Sequence, residues 1–219
     1  MVDVNAIRTR IERAGGDPAA VTIVAVTKQQ PDAAVTEAIA AGLLDIGENR
    51  ADELVRKAAA TDDARVRWHF LGQIQRNKVA KVAPHVSLWQ SVDRPQLGPA
   101  LARHAPGAAV LVEVNLTDDP KRGGTSLAAV PTLVRDLQAD GLDVRGLMAV
   151  GPHGGPEAAR PGFTSVVRCA DELGLPVRSL GMSDDIDVAV ACGSTMVRVG
   201  TALFGTRGMP RSDQPRNLD

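Results

Sequence analysis

Short apolar, β-branched runs recur along the chain and are separated by longer segments in which apolar residues return every three or four positions. Eight such runs predict strands: VTIVAV (21–26), LLDIG (43–47), RWHFLG (67–72), VSLWQSV (86–92), AVLVEV (109–114), VRGLMAV (144–150), PVRSLG (176–181) and TMVRVG (195–200). The runs are apolar on both parities, which is typical of parallel strands whose outer face is covered by helices.

The segments between these runs predict helices. Apolar residues at helical spacing indicate helices over 4–14, 32–41, 97–104, 128–138, 158–173 and 184–192. Gly42 and Gly174 suit helix C-termini, and Ser183 suits an N-cap.

Repeated strand–helix alternation predicts an α/β fold of the (β/α)8 or TIM barrel type, with an extra N-terminal helix. An open doubly wound sheet is the main alternative. No G-x-G-x-x-G motif follows the first strand to favour it.

Composition and charge narrow the classes of protein that fit. The chain has 219 residues, and we expect one domain over 1–206 followed by a disordered polar tail over 207–219. Lys plus Arg is 25 and Asp plus Glu is 26, without the basic excess of nucleic-acid or anionic-membrane binders. No run of about 18 apolar residues and no secretory pattern is present, so we expect a cytoplasmic protein. We expect a monomer, because no second module is evident.

Two residue types that often carry chemistry show no such pattern here. Cys169 and Cys192 fall in predicted helical segments and are expected to be free thiols. The four histidines are scattered without metal-ligand spacing, so we expect no metal site.

A lysine follows the first predicted strand. Lys28 lies two positions after Val26, and residues just past the strands' carboxyl ends face the active site of this fold. Partial burial would lower the pKa of its amine and free a nucleophile able to form a Schiff base. Position alone favours the alternative, a surface lysine at a strand end.

The loops after the seventh and eighth strands are the recurrent phosphate site of this fold. Ser183 can place a hydroxyl there, and Gly200 and Thr201 can offer backbone N–H groups. Asp184 and Asp185 would repel a phosphate, so we expect them to face away.

Two further polar residues lie at or near strand ends. Asn49 follows the second strand and can donate a hydrogen bond to a bound cofactor. His69 lies inside an apolar run, where a core histidine with satisfied hydrogen bonds is at least as plausible as a catalytic one.

Several motifs together resemble the pyridoxal phosphate homeostasis protein family, from about residue 5 to residue 206. They are AVTK (25–28), GEN (47–49), WHFLGQIQRNK (68–78), SVDR (91–94), GLMAVGP (146–152), LGMSDD (180–185) and MVRVGTALFG (196–205). Two segments depart from the family pattern: Gln29-Gln30-Pro31, and KRGGTS (121–126), which matches only loosely.

The resemblance implies a fold-type III barrel like the barrel half of alanine racemase, holding pyridoxal 5'-phosphate (PLP) as a Schiff base on Lys28. It implies that Ser183, Gly200 and Thr201 take the phosphate and that Arg198 faces the pyridine nitrogen. Because arginine stays protonated, the ring nitrogen would stay unprotonated and be a weaker electron sink.

The activity expected from these features is PLP storage with little or no turnover, with possible delivery to PLP-dependent apo-enzymes. A racemase of the alanine racemase type is the alternative. Two-base racemases of this fold use a lysine and a tyrosine, and this chain has no tyrosine. A cofactor-free aldolase or sugar-phosphate isomerase is more distant, and a protein–protein adaptor has no supporting feature.

Overall fold

In a computed structural model the eight predicted strands form a closed parallel barrel, and the structure describes residues 2–117, 119 and 122–205. The strands are β1 (Thr22–Val26), β2 (Asp45–Glu48), β3 (Arg67–Phe70), β4 (Val86–Val92), β5 (Ala109–Val114), β6 (Asp143–Ala149), β7 (Val177–Leu180) and β8 (Met196–Val199). Each strand pairs with the next along the chain, and β1 pairs with β8 to close the ring. The predicted fold class is therefore confirmed.

Helices cover the outside of the barrel. They are α1 (Val4–Arg13), α2 (Ala33–Ala40), α3 (Ala51–Ala59), α4 (Val79–Val82), α5 (Gly98–His104), α6 (Val130–Ala139), α7 (Arg160–Glu172), α8 (Ile186–Ala191) and α9 (Thr201–Phe204). Their apolar faces supply fully buried residues such as Leu54, Leu101, Leu137 and Val166, which pack in one core with the outward residues of the strands.

Three of these helices, α3, α4 and α9, have no helical prediction from the pattern. The buried face of α3 is made by Leu54 and Lys57, and a buried lysine breaks the apolar periodicity that marks a helix. The helices α4 (Val79–Val82) and α9 (Thr201–Phe204) have only four residues each, too few for a period to be visible.

The helix boundaries agree with the predicted glycine stops but not with the predicted serine cap. Gly42 and Gly174 follow α2 and α7 with φ of 81° and 66°, the left-handed conformation that ends helices. The prediction that Ser183 caps α8 is wrong, because α8 begins at Ile186 with Asp185 at its N-cap. The Ser183 hydroxyl oxygen instead accepts a hydrogen bond from the Ala202 N–H, at 3.2 Å.

The inside of the barrel has an apolar layer and polar groups around it. The apolar layer is formed by Val24, Leu88, Leu111, Met148 and Met196. His69, Gln90 and Ser179 are buried polar residues of β3, β4 and β7 that reach one another across the barrel. A packed barrel of this kind leaves its ligand space at the carboxyl ends of the strands.

Several other predictions concern the periphery. Cys169 is buried, which raises the pKa of its thiol, whereas Cys192 is only partly buried; both are free thiols. Among the described helices none is long and apolar enough to cross a bilayer. The predicted tail over 207–219 lies outside the described residues.

Candidate functional site

A pocket of about 280 Å³ opens at the carboxyl ends of the strands. Its lining includes all six residues singled out from the sequence: Lys28, Asn49, Ser183, Arg198, Gly200 and Thr201. This volume is near the lower end of the roughly 300–1,000 Å³ of small-molecule sites, so the pocket suits a small ligand.

The backbone around Lys28 is anchored on both sides by α3. Lys28 is partly buried and follows the fully buried Thr27, whose carbonyl oxygen accepts a hydrogen bond from Lys57 Nζ at 2.6 Å. On the other side, the Gln29 N–H donates to Glu53 Oε1 at 2.8 Å. Gln29 has a φ of 60°, a conformation uncommon for a residue with a side chain. The lysine therefore extends from a segment with little backbone freedom.

A charged group of side chains lies behind this segment, outside the barrel wall. We call Thr27, Glu48, Glu53 and Lys57 the outer cluster. Lys57 Nζ lies 2.7 Å from Glu48 Oε1 and 2.9 Å from Glu53 Oε1, and its side chain is fully buried. The Thr27 hydroxyl also donates to Glu48 Oε1, at 2.5 Å.

The outer cluster contains a carboxyl group that is incompletely satisfied. Glu48 Oε2 is buried and has no hydrogen-bond partner among the described residues. Burial raises the pKa of Glu48, although the hydrogen bonds from Lys57 and Thr27 act to lower it. The lysine therefore stabilises the buried carboxyl group of Glu48 beside the partly buried carboxyl group of Glu53.

Arg198 lies at the floor of the pocket and is held by three hydrogen bonds. Its Nη1 donates to the carbonyl oxygen of Ser179 at 2.6 Å and to the Ser179 hydroxyl oxygen at 2.7 Å, and its Nη2 donates to the Ala149 carbonyl oxygen at 2.8 Å. Burial lowers the pKa of Arg198 to about 10, against the opposing effect of the Asp185 and Glu113 carboxylates. The guanidinium therefore stays charged at neutral pH.

The loops after β7 and β8 meet at the side of the pocket. The hydrogen bond between the Ser183 hydroxyl and the Ala202 N–H joins them directly. Arg10 of α1 donates from Nη1 to the Ser183 carbonyl oxygen at 2.6 Å. A Cβ on Gly200 would lie only 3.2 Å from the Val26 carbonyl oxygen, so a larger residue would crowd β1. The structure thus brings Ser183, Gly200 and Thr201 together as predicted.

The prediction that both aspartates after Ser183 face away is wrong for one of them. The Asp185 carboxylate turns back and accepts the Met182 N–H on Oδ1 at 2.5 Å. Asp184 is exposed and lines the pocket. Because Asp185 occupies the capping position of the turn, its neighbour is left on the pocket side, at a solvated position where repulsion of an anion is reduced.

Asn49 presents an unpaired polar atom at this site. Its Oδ1 is buried and has no hydrogen-bond partner in the described part of the chain. An unpaired buried acceptor costs roughly 1–3 kcal/mol, which a ligand donor can offset. This feature, the amine of Lys28 and the donors at the β7 and β8 loops fit a small ligand that carries an aldehyde, a hydroxyl and a phosphate.

The sequence interpretation missed one titratable residue of the pocket. Glu113 lies on β5, and burial, with a smaller effect of the Asp93 carboxylate, raises its pKa to about 7. The signal was present as a single acidic residue within the apolar run 109–114. A carboxyl group that titrates near neutral pH is able to exchange a proton with a ligand.

His69 lies outside the pocket, deeper in the barrel. It is buried, with Nε2 at 3.0 Å from Asp45 Oδ1 and Nδ1 at 2.7 Å from Gln90 Nε2. These contacts agree with a core histidine whose hydrogen bonds are satisfied, rather than with a catalytic one. Within the described ranges, no three His, Cys, Asp or Glu side chains gather closely enough to hold a metal ion.

Comparisons with known proteins agree with this geometry. The family described as alanine racemase, N-terminal domain, matches residues 2–208. A pyridoxal phosphate homeostasis protein of Pseudomonas aeruginosa is 40% identical over 216 residues, covering 94% of each chain. One from Escherichia coli is 36% identical over 210 residues, covering 89% of each.

Solved structures give the same result. PipY of Synechococcus elongatus, solved with PLP bound, is 35% identical with a TM-score of 0.77, over 91% of this chain and all of the other. An alanine racemase of Clostridium difficile is 13% identical with a TM-score of 0.73 and is covered over 58% of its length, a likeness of fold alone. The chain therefore belongs to the pyridoxal phosphate homeostasis protein family, whose barrel is that of the alanine racemase N-terminal domain.

Proposed function

We propose that this chain binds PLP in the pocket at the carboxyl ends of its strands and takes part in PLP homeostasis, with Lys28 as the covalent attachment point. The observation that carries the proposal is the meeting of Lys28, Arg198 and the Ser183 loop in one small pocket. PLP supplies an aldehyde that condenses with a lysine amine, with loss of water, to form a Schiff base. The relatives named for PLP homeostasis and the PLP-bound PipY structure support it.

The residues of the pocket would divide the binding among them. We propose that Ser183, Gly200 and Thr201 donate hydrogen bonds to the phosphate, and that Arg198 donates to the pyridine nitrogen. The sequence predicts that Asn49 donates a hydrogen bond to the cofactor, and its buried, unpaired Oδ1 supports a further role as an acceptor from the ligand. Hydrogen bonds to charged groups contribute about 1.5–3 kcal/mol each, so a few of them give tight but reversible binding.

We also propose that turnover is low. An arginine that stays charged at neutral pH donates to the ring nitrogen and leaves it unprotonated, which weakens the ring as an electron sink. The chain has no tyrosine to act as a second base. The racemase alternative retains one supporting observation, the carboxyl group of Glu113 with a pKa of about 7 in the pocket.

The binding proposal is tested by absorbance titration of the purified protein with PLP. We expect a visible Schiff-base band in the wild type and in Lys81→Ala, and no such band in Lys28→Ala. Lys81 is a matched control because it is exposed and pairs with Asp52 on the surface, at 2.5 Å. A band of wild-type strength in Lys28→Ala would contradict the proposal.

The turnover proposal is tested by exchange of the α-hydrogen of alanine and serine in heavy water. We expect negligible exchange with the PLP-loaded protein. Rapid exchange that is lost in both Lys28→Ala and Glu113→Gln would instead establish the racemase alternative, with Glu113 as the second base.

We further propose a cytoplasmic monomer that can pass PLP to apo-enzymes. Light scattering on the eluting protein tests the oligomeric state, and a mass of one chain is expected. Reactivation of a PLP-dependent apo-enzyme by the loaded protein, faster than the free PLP present allows, tests delivery.

A further inference from the structure

An unbroken chain of side-chain hydrogen bonds runs through the barrel interior and ends on Arg198. We call Asp45, His69, Gln90, Ser179 and Arg198 the inner chain. Ser179 Oγ lies 2.7 Å from Arg198 Nη1 and 2.7 Å from Gln90 Oε1, and Gln90 Nε2 lies 2.7 Å from His69 Nδ1. His69 Nε2 lies 3.0 Å from Asp45 Oδ1. Of the five residues of the inner chain, Arg198 alone lines the pocket.

The hydrogen bonds in the inner chain are assigned from its two ends, a guanidinium that can only donate and a carboxylate that can only accept. A guanidinium can only donate, so the Ser179 oxygen accepts from Arg198 and directs its own hydrogen to Gln90 Oε1. The amide N–H of Gln90 then faces His69 Nδ1, which must be the unprotonated nitrogen. The remaining proton of the imidazole is on Nε2 and is donated to the Asp45 carboxylate.

The members of the inner chain have little freedom to rearrange. Gln90 and Ser179 are fully buried and His69 is 2% exposed. The second amide N–H of Gln90 points to Met196 Sδ, at 3.2 Å. If the amide were reversed, its oxygen would face the lone pair of His69 Nδ1 and the Ser179 hydrogen would lose its acceptor. The orientation of the Ser179 hydroxyl is therefore set from the far end of the barrel.

The contacts of Arg198 leave donors for a ligand. Its hydrogen bonds to the described residues occupy three of the five guanidinium N–H groups: both on Nη1 and one on Nη2. Since Nη1 is held by both the carbonyl and the hydroxyl of Ser179, the plane of the guanidinium is fixed. The two remaining donors, on Nε and Nη2, keep a defined direction.

We infer that Ser179, Gln90 and His69 are positioning residues, which aim the free Arg198 donors at the ring nitrogen of the bound cofactor. The inference rests on the proposed function and adds the residues that determine recognition of the ring. A fixed donor in a buried site discriminates strongly between an acceptor and a group that cannot accept, because its hydrogen bond is left unmade with the latter. A donor that can swing to another partner loses that discrimination.

The test compares PLP with its 1-deaza analogue, in which a ring C–H replaces the pyridine nitrogen and the aldehyde and phosphate are kept. We expect the wild type to bind PLP about tenfold or more tightly than the analogue. We expect Arg198→Met to abolish this preference, and Ser179→Ala and Gln90→Leu to reduce it to about threefold or less. Ser91→Ala is the matched control. It is equally buried beside Gln90 and bonds instead to the Gly72 carbonyl oxygen at 2.5 Å, so it should keep the wild-type preference.

The outcomes separate this inference from the function it rests on. Folded Ser179→Ala and Gln90→Leu variants that keep the wild-type preference would overturn the inference alone, and the inner chain would be purely structural. Absence of a Schiff base in the wild type would overturn the proposed function, and the inference with it.

A second measurement needs no variant and no cofactor. In ¹⁵N NMR spectra of the protein without PLP, we expect His69 as the neutral tautomer with hydrogen on Nε2. An imidazolium at neutral pH, or the tautomer with hydrogen on Nδ1, would reverse the inner chain and overturn the inference.

Discussion

The two ends of the pocket are held in opposite ways. Beside Lys28, the outer cluster forms hydrogen bonds to the backbone from outside the barrel, and three of its four members are ionisable. At Arg198, the inner chain forms hydrogen bonds to the side chain from inside the barrel. The three residues between the guanidinium and Asp45, which are Ser179, Gln90 and His69, are neutral. Removing one member of a buried charged cluster is strongly destabilising, because it leaves the remaining charges uncompensated. In a neutral network, the donor and acceptor roles of one hydrogen bond determine those of the next.

The largest loss of stability is expected on removal of the lysine of the outer cluster. We expect Lys57→Met to lower the free energy of unfolding by about 3–5 kcal/mol, because it leaves Glu48 and Glu53 without their buried cation. Urea denaturation measures the loss. The double variant Lys57→Met/Glu48→Gln should recover part of it, because it removes a buried carboxylate.

The surface variant Lys81→Met provides the control for Lys57→Met. Lys81 and Asp52 form an exposed pair, for which we expect about 0–1 kcal/mol. Equal losses in Lys57→Met and Lys81→Met would contradict the role assigned to the outer cluster.

Glu113 lines the pocket from β5, where burial raises its pKa to about 7 against the lowering effect of Arg198 and Arg122. The pKa of Glu113 in the folded state exceeds its ordinary value of 4.5, so between these two values the folded protein binds more protons than the unfolded chain. Stability should therefore fall as pH rises from 4.5 to 7, by about 3 kcal/mol. Glu113→Gln should remove this loss in urea titrations across the window. If the free energy of unfolding changed with pH in the same way in the wild type and in Glu113→Gln, the raised pKa assigned to Glu113 would be contradicted.

Removal of a neutral link should cost less than removal of Lys57. We expect Gln90→Leu to lower the free energy of unfolding by about 1–3 kcal/mol, since it leaves His69 Nδ1 without a donor and the Ser179 hydroxyl hydrogen without an acceptor. The same urea measurement checks it. A loss larger than that of Lys57→Met would contradict the expectation that the outer cluster contributes more to stability than the neutral residues of the inner chain.

The smallest effect is expected at the outer end of the inner chain. Arg67 contacts Asp45 from Nε at 2.8 Å and from Nη2 at 2.5 Å, but its side chain is 55% exposed. We expect Arg67→Ala to cost about 0–1 kcal/mol at neutral pH.

Acid titration gives Arg67→Ala a second readout. Burial raises the pKa of Asp45, but hydrogen bonds from His69 and Arg67 outweigh it and bring the pKa to about 2. The stability this carboxylate provides is present above pH 3.8 and is lost as pH falls toward 2. In Arg67→Ala the loss should begin at a higher pH, and an unchanged acid transition would contradict the contribution of Arg67.

The barrel and most of the pocket could be predicted from the sequence because both follow local rules. Strand runs are visible in the apolar pattern, and the carboxyl ends of strands identify Lys28 and Ser183 as pocket residues. The helix α3 was missed because its buried face carries Lys57, whose partners include Thr27, just after β1, and Glu48 of β2. The inner chain was missed for the same reason, since Gln90 and Ser179 meet only when the barrel closes. The periodicity of apolar residues in a sequence indicates which positions are buried, but it does not indicate which polar side chains pair with one another.

The most direct test of the account is borohydride reduction of the PLP-loaded protein, which converts the Schiff base into a stable amine, followed by peptide mass analysis. The chain has five lysines: Lys28, Lys57, Lys78, Lys81 and Lys121. We predict that the added mass of the reduced cofactor is carried by the peptide containing Lys28. Labelling of any of the other four in its place, or no label at all, would contradict the account.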